Sequence, residues 1–189
     1  MSLISDPVAE LLARHRPRDG AEAADLDRSR ELARTAADPW LRSLPLHFTA
    51  SALVVHPASA QVLLRWHQRQ QAWLQVGGHG DPGETDPVGI ALREGREETG
   101  LGDLVPWPDA SLLQVAIVDV PARRDEPDHQ HADLRFMLAT ADPDAAQPES
   151  PGAPLRWLTV PEARAATTED NVRDLLDRAE SLFTRPADG

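Results

Sequence analysis

The stretch "GGHGDPGETDPVGIALREGREETGL", residues 77–101, decides the fold because a glycine-rich turn leads directly into an acidic helical pattern. Asp86 is a typical helix N-cap, and Pro87 suits the first helical position, where its missing N–H costs nothing. Gly100 is the usual residue at a helix C-terminus. Residues 86–100 are therefore predicted to form a helix.

Three glutamates fall on one face of this helix. At 100° per residue, Glu94, Glu97 and Glu98 lie at i, i+3 and i+4. One interpretation is a solvated face with ion pairs, since Arg93 lies one turn before Glu97. The other is a site for a hard divalent cation, because clustered carboxylates repel one another unless a cation sits among them. The adjacent face is assigned to the core; it carries Val88, Leu92, Gly95 and Thr99.

The flanking sequence predicts more strands than helices. A helix is expected at 171–184, and strands are expected at 47–56, 61–67, 72–76, 111–120, 131–140 and 155–160. One helix in the middle of several strands indicates an α/β or α+β layered fold with a mixed sheet.

The first 44 residues read as a helical extension ahead of the main domain. Helices are expected at 5–16 and 21–37, followed by a connector in which Trp40 and Leu44 dock on the core. The predicted division is 1–44 for the extension and 45–189 for the domain.

Composition limits the classes of function. The formal net charge is −12, which argues against general binding of nucleic acid or anionic membranes. Cysteine is absent, which excludes disulfides and thiolate chemistry. With no apolar run long enough to span a membrane and no signal-peptide pattern, a cytoplasmic location is expected.

The acidic stretch resembles the Nudix box, the signature of the Nudix hydrolase family. That signature is Gly, five residues, Glu, seven residues, then Arg-Glu-aliphatic-X-Glu-Glu-X-Gly-aliphatic. Gly78 is followed by five residues and Glu84, and residues 93–101 continue as "REGREETGL". The matching positions there are Arg93, Glu94, Glu97, Glu98, Gly100 and Leu101.

The sequence departs from the signature at two points, and these departures affect which residue roles the resemblance implies. Eight residues, not seven, separate Glu84 from Arg93, so either Glu84 or Asp86 could be the carboxylate that steadies Arg93. Gly95 stands at a position that is usually aliphatic, which costs about 1 kcal/mol of helix stability relative to alanine. A large side chain, such as a tryptophan, is expected to fill the space beside Gly95.

The resemblance implies an α/β/α sandwich with a mixed β-sheet and an enzyme that cleaves a diphosphate linkage. The implied substrate is a small molecule, a nucleoside diphosphate linked to another group, and the implied cofactor is Mg²⁺ or Mn²⁺. The metal ligands carried over are Glu94, Glu97, Glu98 and a backbone carbonyl at Gly78, with Glu94 or Glu97 as general base. Arg93, Glu84 and Gly100 are given structural roles within the box.

Residues outside the helix complete the candidate site. His129, His131, Asp133 and Arg135 alternate along one strand, so they share a face that either meets solvent or lines a substrate cleft. Contact with substrate is proposed for His79, Arg123 and Arg135, with Arg124 beside Arg123 and with Glu169 as an alternative base. Trp66, Trp73 and Trp157 are assigned to the core, and no function is assigned to His15, His47, His56 or His67.

Rival functions are few. Isoprenoid diphosphate isomerisation on this fold relies on a cysteine that the chain lacks. A nucleotide-binding sensor without turnover stays open, although all three box glutamates are present. A homodimer formed through the helical extension is possible. Sugar nucleotides, ADP-ribose, NADH, dinucleoside polyphosphates and oxidised nucleoside triphosphates all remain candidate substrates.

Overall fold

The structure, a computed structural model, describes residues 7–123 and 126–184 of the chain. The helices are α1 (Pro7–Arg14), α2 (Gly20–Thr35), α3 (Pro87–Thr99), α4 (Val160–Ala166) and α5 (Asp170–Phe183). The strands are β1 (Leu46–His56), β2 (Gln61–His67), β3 (Ala72–Leu74), β4 (Val76–Gly78), β5 (Val105–Pro106), β6 (Gln114–Val120), β7 (His129–Ala139) and β8 (Leu155–Thr159).

All eight described strands form one mixed sheet with β1 and β7 at its centre. The order along the main path is β3-β2-β1-β7-β5, and β4, β6 and β8 pair with β1, β7 and β2 respectively. The β1–β7 pairing is parallel and runs from Leu46 opposite Gln130 to Val55 opposite Ala139. The other strand pairs described here are antiparallel, so the predicted mixed sheet is confirmed.

Helices cover both faces of the sheet, as expected for an α/β/α sandwich. Alternate residues of β1 separate into two cores because successive side chains of a strand point to opposite faces. Ala52 and Val54 pack in a core with Ile90 of α3, whereas Leu53 and Val55 pack with residues of α4 and α5. The central strand is therefore buried on both sides.

The central helix α3 begins and ends where the sequence predicted. The Asp86 side chain accepts a hydrogen bond from Val88 N at 3.2 Å, and Gly100 has a φ of +69°, the left-handed conformation that suits glycine. Gly95 and Thr99 are buried as expected. Ile90 and Ala91, which the helical spacing of 100° per residue did not assign to the core, are buried too.

The helical extension packs into the same core as the rest of the chain. Val8 and Leu12 of α1 and Leu26 of α2 belong to the α3-side core, and Trp40 stacks near Phe48 with ring centroids 5.4 Å apart. Trp40 thus docks as predicted, while Leu44 is only half-buried. The division into two domains stays a prediction, and the first two residues of the helix predicted at 5–16 lie outside the described residues.

Three local features differ from the sequence predictions. Residues 72–76 were predicted as one strand, but the chain changes partner at Gln75, so that β3 pairs with β2 and β4 pairs with β1. Helix α4 was not predicted because its apolar pattern follows β8 directly; it begins with a capping box of Thr159 and Glu162. Strand β5 was not predicted because it is only two residues long, which is too short to show an alternation of polar and apolar residues. Among the described residues, no helix is both long and apolar enough to cross a membrane.

Candidate active site

Gly77 and Gly78 end strand β4 and begin the glycine-rich segment that leads to α3, called the glycine turn below. Gly77 is a position that requires glycine. Gly77 has a φ of +144°, and a Cβ added there would lie 2.3 Å from the Cβ of Ser51 on the neighbouring strand. A Cβ added to Gly78 would lie 2.8 Å from the carboxylate of Glu94. The backbone of Gly77 and Gly78 can therefore approach both β1 and the acidic helix closely.

Two of the box glutamates contact this turn. Glu98 accepts a hydrogen bond from the N–H of Gly77 at 3.0 Å, and Glu94 lies against Gly78. Burial raises the pKa of Glu98 to about 7, against the opposing pull of the Arg65 guanidinium. Burial also raises the pKa of Glu94, although Arg93 works in the other direction. Both carboxylates thus sit where their negative charge is poorly solvated.

Arg93 ties the helix to the turn. Its guanidinium donates to Glu84 at 2.9 Å, to Glu94 at 3.0 Å and to Glu97 at 3.0 Å, and it also reaches the carbonyl of His79. Hydrogen bonding from Arg93 lowers the pKa of Glu84. The alternative in which Asp86 replaces Glu84 as this partner is wrong, because Asp86 caps the helix instead. The inserted residue therefore does not prevent Glu84 from pairing with Arg93.

The acidic cluster, Glu94, Glu97 and Glu98, has a cationic neighbour that the sequence did not indicate. Arg65, at the C-terminal end of β2, lies 3.2 Å from Glu98 and 3.2 Å from Glu149. Sequence reasoning missed Arg65 because strand pairing, not sequence distance, brings it here. Its position after the three buried residues of β2 carried no signal of its partner.

A cleft of about 220 Å³ opens beside the glycine turn. Gly77, Gly78 and His79 form part of its wall, and His131, Asp133 and Arg135 of β7 form another part. The interpretation of the β7 residues as a solvent-facing surface is therefore wrong. The strand turns this polar face toward the cleft.

Arg135 is buried at this wall, with only 2% of its surface exposed. Its guanidinium donates to Asp133 at 2.8 Å, to the Gln114 side chain at 3.0 Å and to the carbonyl of Asn171 at 3.2 Å. Asp133 in turn accepts hydrogen bonds from the Thr49 and Ser51 hydroxyls. These internal partners were not foreseen, and contact of Arg135 with phosphate stays a prediction.

Arg123, another of the predicted cations, contacts a residue of the cleft wall. Arg123 is exposed, does not line the cleft, and donates to the carbonyl of Arg69 at 2.7 Å. Arg69, which sequence reasoning missed, does line the cleft and forms an ion pair with Glu126. Arg124 lies outside the described residues. Contact of Arg123 with substrate stays a prediction.

Glu169 also lines the cleft, where α5 begins. Its side chain makes no capping bond to the helix; its one hydrogen bond within the described chain comes from the neighbouring Thr168 hydroxyl at 3.3 Å. The structure thus brings this alternative base into the same cavity as the glycine turn. None of Trp66, Trp73 and Trp157 lines the cleft, and Trp73 and Trp157 pack against the two cores.

The donor atoms suit a hard divalent cation. Glu94 and Glu97 each bond Arg93 through one oxygen, and the second oxygen of each has no hydrogen-bond partner within residues 7–123 and 126–184. The absence of a side chain at Gly78 leaves room beside Glu94. Carboxylate and carbonyl oxygens are the ligands that Mg²⁺ and Mn²⁺ prefer. The residues present therefore fit the implied cofactor.

Comparison with known proteins agrees with this geometry. The NUDIX domain model matches residues 45–179. A protein of Lactococcus lactis described as "Probable DHNTP pyrophosphohydrolase" is 31% identical over 119 residues, which cover 62% of this chain and 68% of that protein. The chain belongs to the Nudix family.

Solved structures of the same fold have low sequence identity to the chain. The Escherichia coli dihydroneopterin triphosphate pyrophosphohydrolase aligns with a TM-score of 0.56 at 18% identity, covering 71% of this chain and 94% of that one. A Caenorhabditis elegans Ap4A hydrolase in a binary complex aligns with a TM-score of 0.57 at 19% identity, covering 72% and 96%. The family and the fold together make the chain a Nudix-type pyrophosphohydrolase.

Proposed function

We propose that the chain hydrolyses a diphosphate linkage in a small nucleotide-like molecule, using Mg²⁺ or Mn²⁺ bound by the acidic cluster. The observation that carries the proposal is the meeting of Glu94 and Glu98 with the Gly77–Gly78 turn at the wall of a cleft. A phosphate chain entering the cleft would reach the helix carboxylates across this turn. The substrate class is a nucleoside diphosphate linked to another group, or a related polyphosphate.

The proposed ligands are Glu94, Glu97, Glu98 and the carbonyl of Gly78. When bound, a divalent cation neutralises phosphate charge and activates water for attack on phosphorus. Arg93 orients Glu94 and Glu97 by its two hydrogen bonds, and Glu84 fixes Arg93 in turn. The ion pairs thus hold the carboxylates in place before the cation arrives.

Two positions are proposed for the general base. Glu94 or Glu97 accepts the proton in the arrangement carried over from the box. Glu169 is the alternative, because it lines the cleft and has no arginine partner among the described residues. Glu169→Gln separates these arrangements: it abolishes the acidic limb of the pH–rate profile only when Glu169 is the base.

The cleft offers a mixed surface for the rest of the substrate. Leu74, Val118 and Val120 provide apolar contacts, which suit the faces of a heterocycle. The Oε1 atom of Gln75 is buried and has no hydrogen-bond partner in the described part of the chain, so it can accept from an N–H of a bound ring. His79 and Arg69 are proposed to contact the phosphates.

The relatives guide the order of the substrates to be tested. The Lactococcus relative and the Escherichia structure carry names that refer to a pterin triphosphate, and the Caenorhabditis structures refer to a dinucleoside tetraphosphate. These names support a polyphosphate chain on a heterocycle as substrate. A pterin triphosphate and a dinucleoside tetraphosphate are therefore among the first compounds to be tested, together with ADP-ribose and nucleotide sugars. These compounds form the substrate panel.

The test is incubation of the full chain with this panel in Mg²⁺ or Mn²⁺, with products identified by mass spectrometry. We expect cleavage of a phosphoric anhydride that stops with excess chelator and returns when the cation is restored. Full activity in excess chelator contradicts the metal assignment. Stoichiometric binding without turnover of any compound favours the nucleotide-sensor alternative instead.

A further inference from the structure

Histidines from three separate parts of the chain meet beside the cleft. His47 lies on β1, His79 follows β4, and His129 and His131 begin β7. We call these four residues the histidine cluster. Ring centroids are 5.1 Å apart for His47 and His79, 5.0 Å for His47 and His131, and 4.8 Å for His79 and His131. Tertiary structure alone assembles this group.

The ring nitrogens converge closely enough to share one ion. The Nε2 atoms of His47 and His79 are 3.1 Å apart, and one ring nitrogen from each of His47, His79 and His131 lies within 4.8 Å of the other two. Tetrahedral Zn²⁺ binds imidazole nitrogen at about 2.0–2.1 Å, which places two ligand nitrogens about 3.3 Å apart. Only small movements of the rings are needed to reach that geometry.

The hydrogen bonds on the far side of the rings orient the cluster. The Nδ1 atom of His47 lies 3.0 Å from the carbonyl oxygen of Leu44. A carbonyl oxygen only accepts, so Nδ1 carries the proton and Nε2 presents its lone pair to the cluster. The Nδ1 atom of His129 makes the same contact with the carbonyl of Pro127 at 3.0 Å. A backbone carbonyl bound in this way is a common outer partner of a metal-binding histidine.

The donor chemistry separates this cluster from the acidic cluster. The three converging ligands are imidazoles, which suit Zn²⁺, Co²⁺, Ni²⁺ and Cu²⁺, whereas Mg²⁺ and Mn²⁺ prefer oxygen. The nearest carboxylate of β7, Asp133, is held by Thr49, Ser51 and Arg135. His47 is fully buried, with 0% of its surface exposed, whereas His79 and His131 line the cleft, through which an ion can reach the cluster.

We propose that His47, His79 and His131 form a binding site for a first-row transition metal ion, distinct from the carboxylate site on α3. The ion would join the segment after β4 to the first residues of β1 and β7. Because His79 follows Gly78 directly, the bound ion would also fix the glycine turn. The site does not depend on the proposed hydrolysis, and its test needs no substrate.

Co²⁺ is the probe, since nitrogen ligands in a tetrahedral site give it strong visible absorption. The full chain, freed of metal by chelator and dialysed, is titrated with Co²⁺ in a large excess of Mg²⁺, which occupies the carboxylates. We expect one equivalent of Co²⁺ to bind with these bands, and Zn²⁺ to displace it. Absence of the bands overturns the proposal.

His79→Gln and His131→Gln identify the ligands, and neither replaces the fully buried His47. Each is expected to weaken Co²⁺ binding at least about tenfold, because losing a ligand costs no less than losing an outer partner. His56→Gln, at the opposite end of β1, is the matched control and should bind as the unaltered chain does. Unchanged affinity in both cluster variants overturns the proposal.

Two further measurements show whether a loss of Co²⁺ binding could come from unfolding of a variant or from binding at the acidic cluster. Zn²⁺ should raise the Tm of the unaltered chain and of His56→Gln, but not that of folded His79→Gln or His131→Gln. Glu97→Gln should keep the Co²⁺ bands. Loss of the bands in Glu97→Gln would assign the bound Co²⁺ to the carboxylates and refute a separate histidine site.

Discussion

Glu97 and Glu98 are adjacent in sequence but differ in environment. The side chain of Glu97 is 56% exposed and bonds only Arg93 among the described residues, whereas that of Glu98 is 13% exposed and bonds Gly77 and Arg65. The two carboxylates therefore share a proposed role in metal binding and differ in their role in stability.

Glu97→Gln should lower kcat at least about 100-fold, because an amide carries no charge and is a weaker ligand. The metal-free Tm should change little, since exposed ion pairs contribute about 0–1 kcal/mol. Turnover and thermal unfolding are measured side by side. The matched control is Glu31→Gln, which removes an exposed helical ion pair with Arg34 and should leave kcat unchanged.

Glu98→Gln should lower kcat by a similar factor without lowering the metal-free Tm. Burial disfavours the charged form of Glu98 more than Arg65 favours it, as the raised pKa of about 7 indicates. An amide oxygen can still accept from Gly77 N–H. A clear fall in the metal-free Tm would show instead that the ion pair with Arg65 stabilises the fold.

Gly95 shows how tightly α3 packs on the sheet. A Cβ added there would lie 3.0 Å from Cδ1 of Leu104 and 3.4 Å from Cδ1 of Leu138. The expectation that a tryptophan fills this space is wrong, because the nearest side chains are these two leucines and Val76. Leucines from strand β7 and from the segment after α3 take the volume that an aliphatic residue at this position would otherwise fill.

Gly95→Ala should destabilise the fold by about 1 kcal/mol. Overpacking costs about 1–3 kcal/mol, and the gain in helix propensity offsets up to about 1 kcal/mol of it. Urea unfolding measures the change. Gly20→Ala, where a Cβ meets nothing within 4 Å, should be neutral or stabilising. A higher Tm for Gly95→Ala would show that the leucines move aside freely.

At the scale of elements, α2 protects a strand edge. Glu22 accepts a hydrogen bond from the backbone N–H of Val115 at 3.0 Å, and Asp25 accepts one from that of Ile117 at 2.9 Å. Both donors belong to β6, which pairs with β7 on its other side. Free N–H groups on an edge strand invite pairing with another chain, so the helix carboxylates remove that opportunity.

Asp25→Ala should cost about 1–3 kcal/mol of stability, because it leaves the N–H of Ile117 without its acceptor. Self-association should rise as well, as the β6 edge becomes available. Chemical unfolding and sedimentation velocity measure the two effects. Asp27→Ala is the matched control, since Asp27 lies on the same helix and, within the described part of the chain, its side chain bonds only the exposed Arg30. Equal behaviour of the two variants would contradict the capping role.

Local signals explain which elements the sequence could predict. The bounds of α3 follow from Asp86, Pro87 and Gly100, whose effects act within a few residues. The break between β3 and β4 could not be found, because Gln75 marks a change of strand partner that depends on the folded sheet. Arg65 and His47 were missed for the same reason: their partners lie far along the chain.

At the scale of the whole molecule, Glu22 joins both ends of the described chain. Its carboxylate bonds His15 at 2.8 Å and Arg178 of the last helix at 2.7 Å. Burial alone would raise the pKa of Glu22. The hydrogen bonds from His15, the Arg18 N–H, Arg178 and the Val115 N–H outweigh it and lower the pKa to about 2.

This lowered pKa predicts acid sensitivity. Folding lowers the pKa of this carboxyl group from the value near 4.5 that it has in the unfolded chain. Such a group stabilises the native state fully at pH values above 4.5, and this stabilisation is lost as the pH falls toward about 2. The contribution at neutral pH is on the order of 3 kcal/mol. At pH 7, Glu22→Gln should therefore have a clearly lower free energy of unfolding than the unaltered chain. This gap between the two free energies should become smaller as the pH is lowered.

Urea titrations between pH 7 and pH 3 measure that gap. Glu31→Gln, on the exposed side of the same helix, controls for the loss of one carboxylate. A gap for Glu22→Gln that stays constant with pH would mean that the charge of Glu22 contributes nothing to holding the two ends together.

The parallel pairing of β1 with β7 has a consequence for synthesis on the ribosome. Thr49 and Asp133, bonded side by side at the centre of the sheet, are 84 residues apart in the chain. β1 emerges early with nine consecutive residues destined for burial, and the strand that pairs with it in parallel emerges only after most of the chain has been made. Contacts so distant in sequence form slowly and leave apolar surface open in the meantime. Apolar residues of β1 therefore stay exposed on the nascent chain until α5 has left the exit tunnel as well.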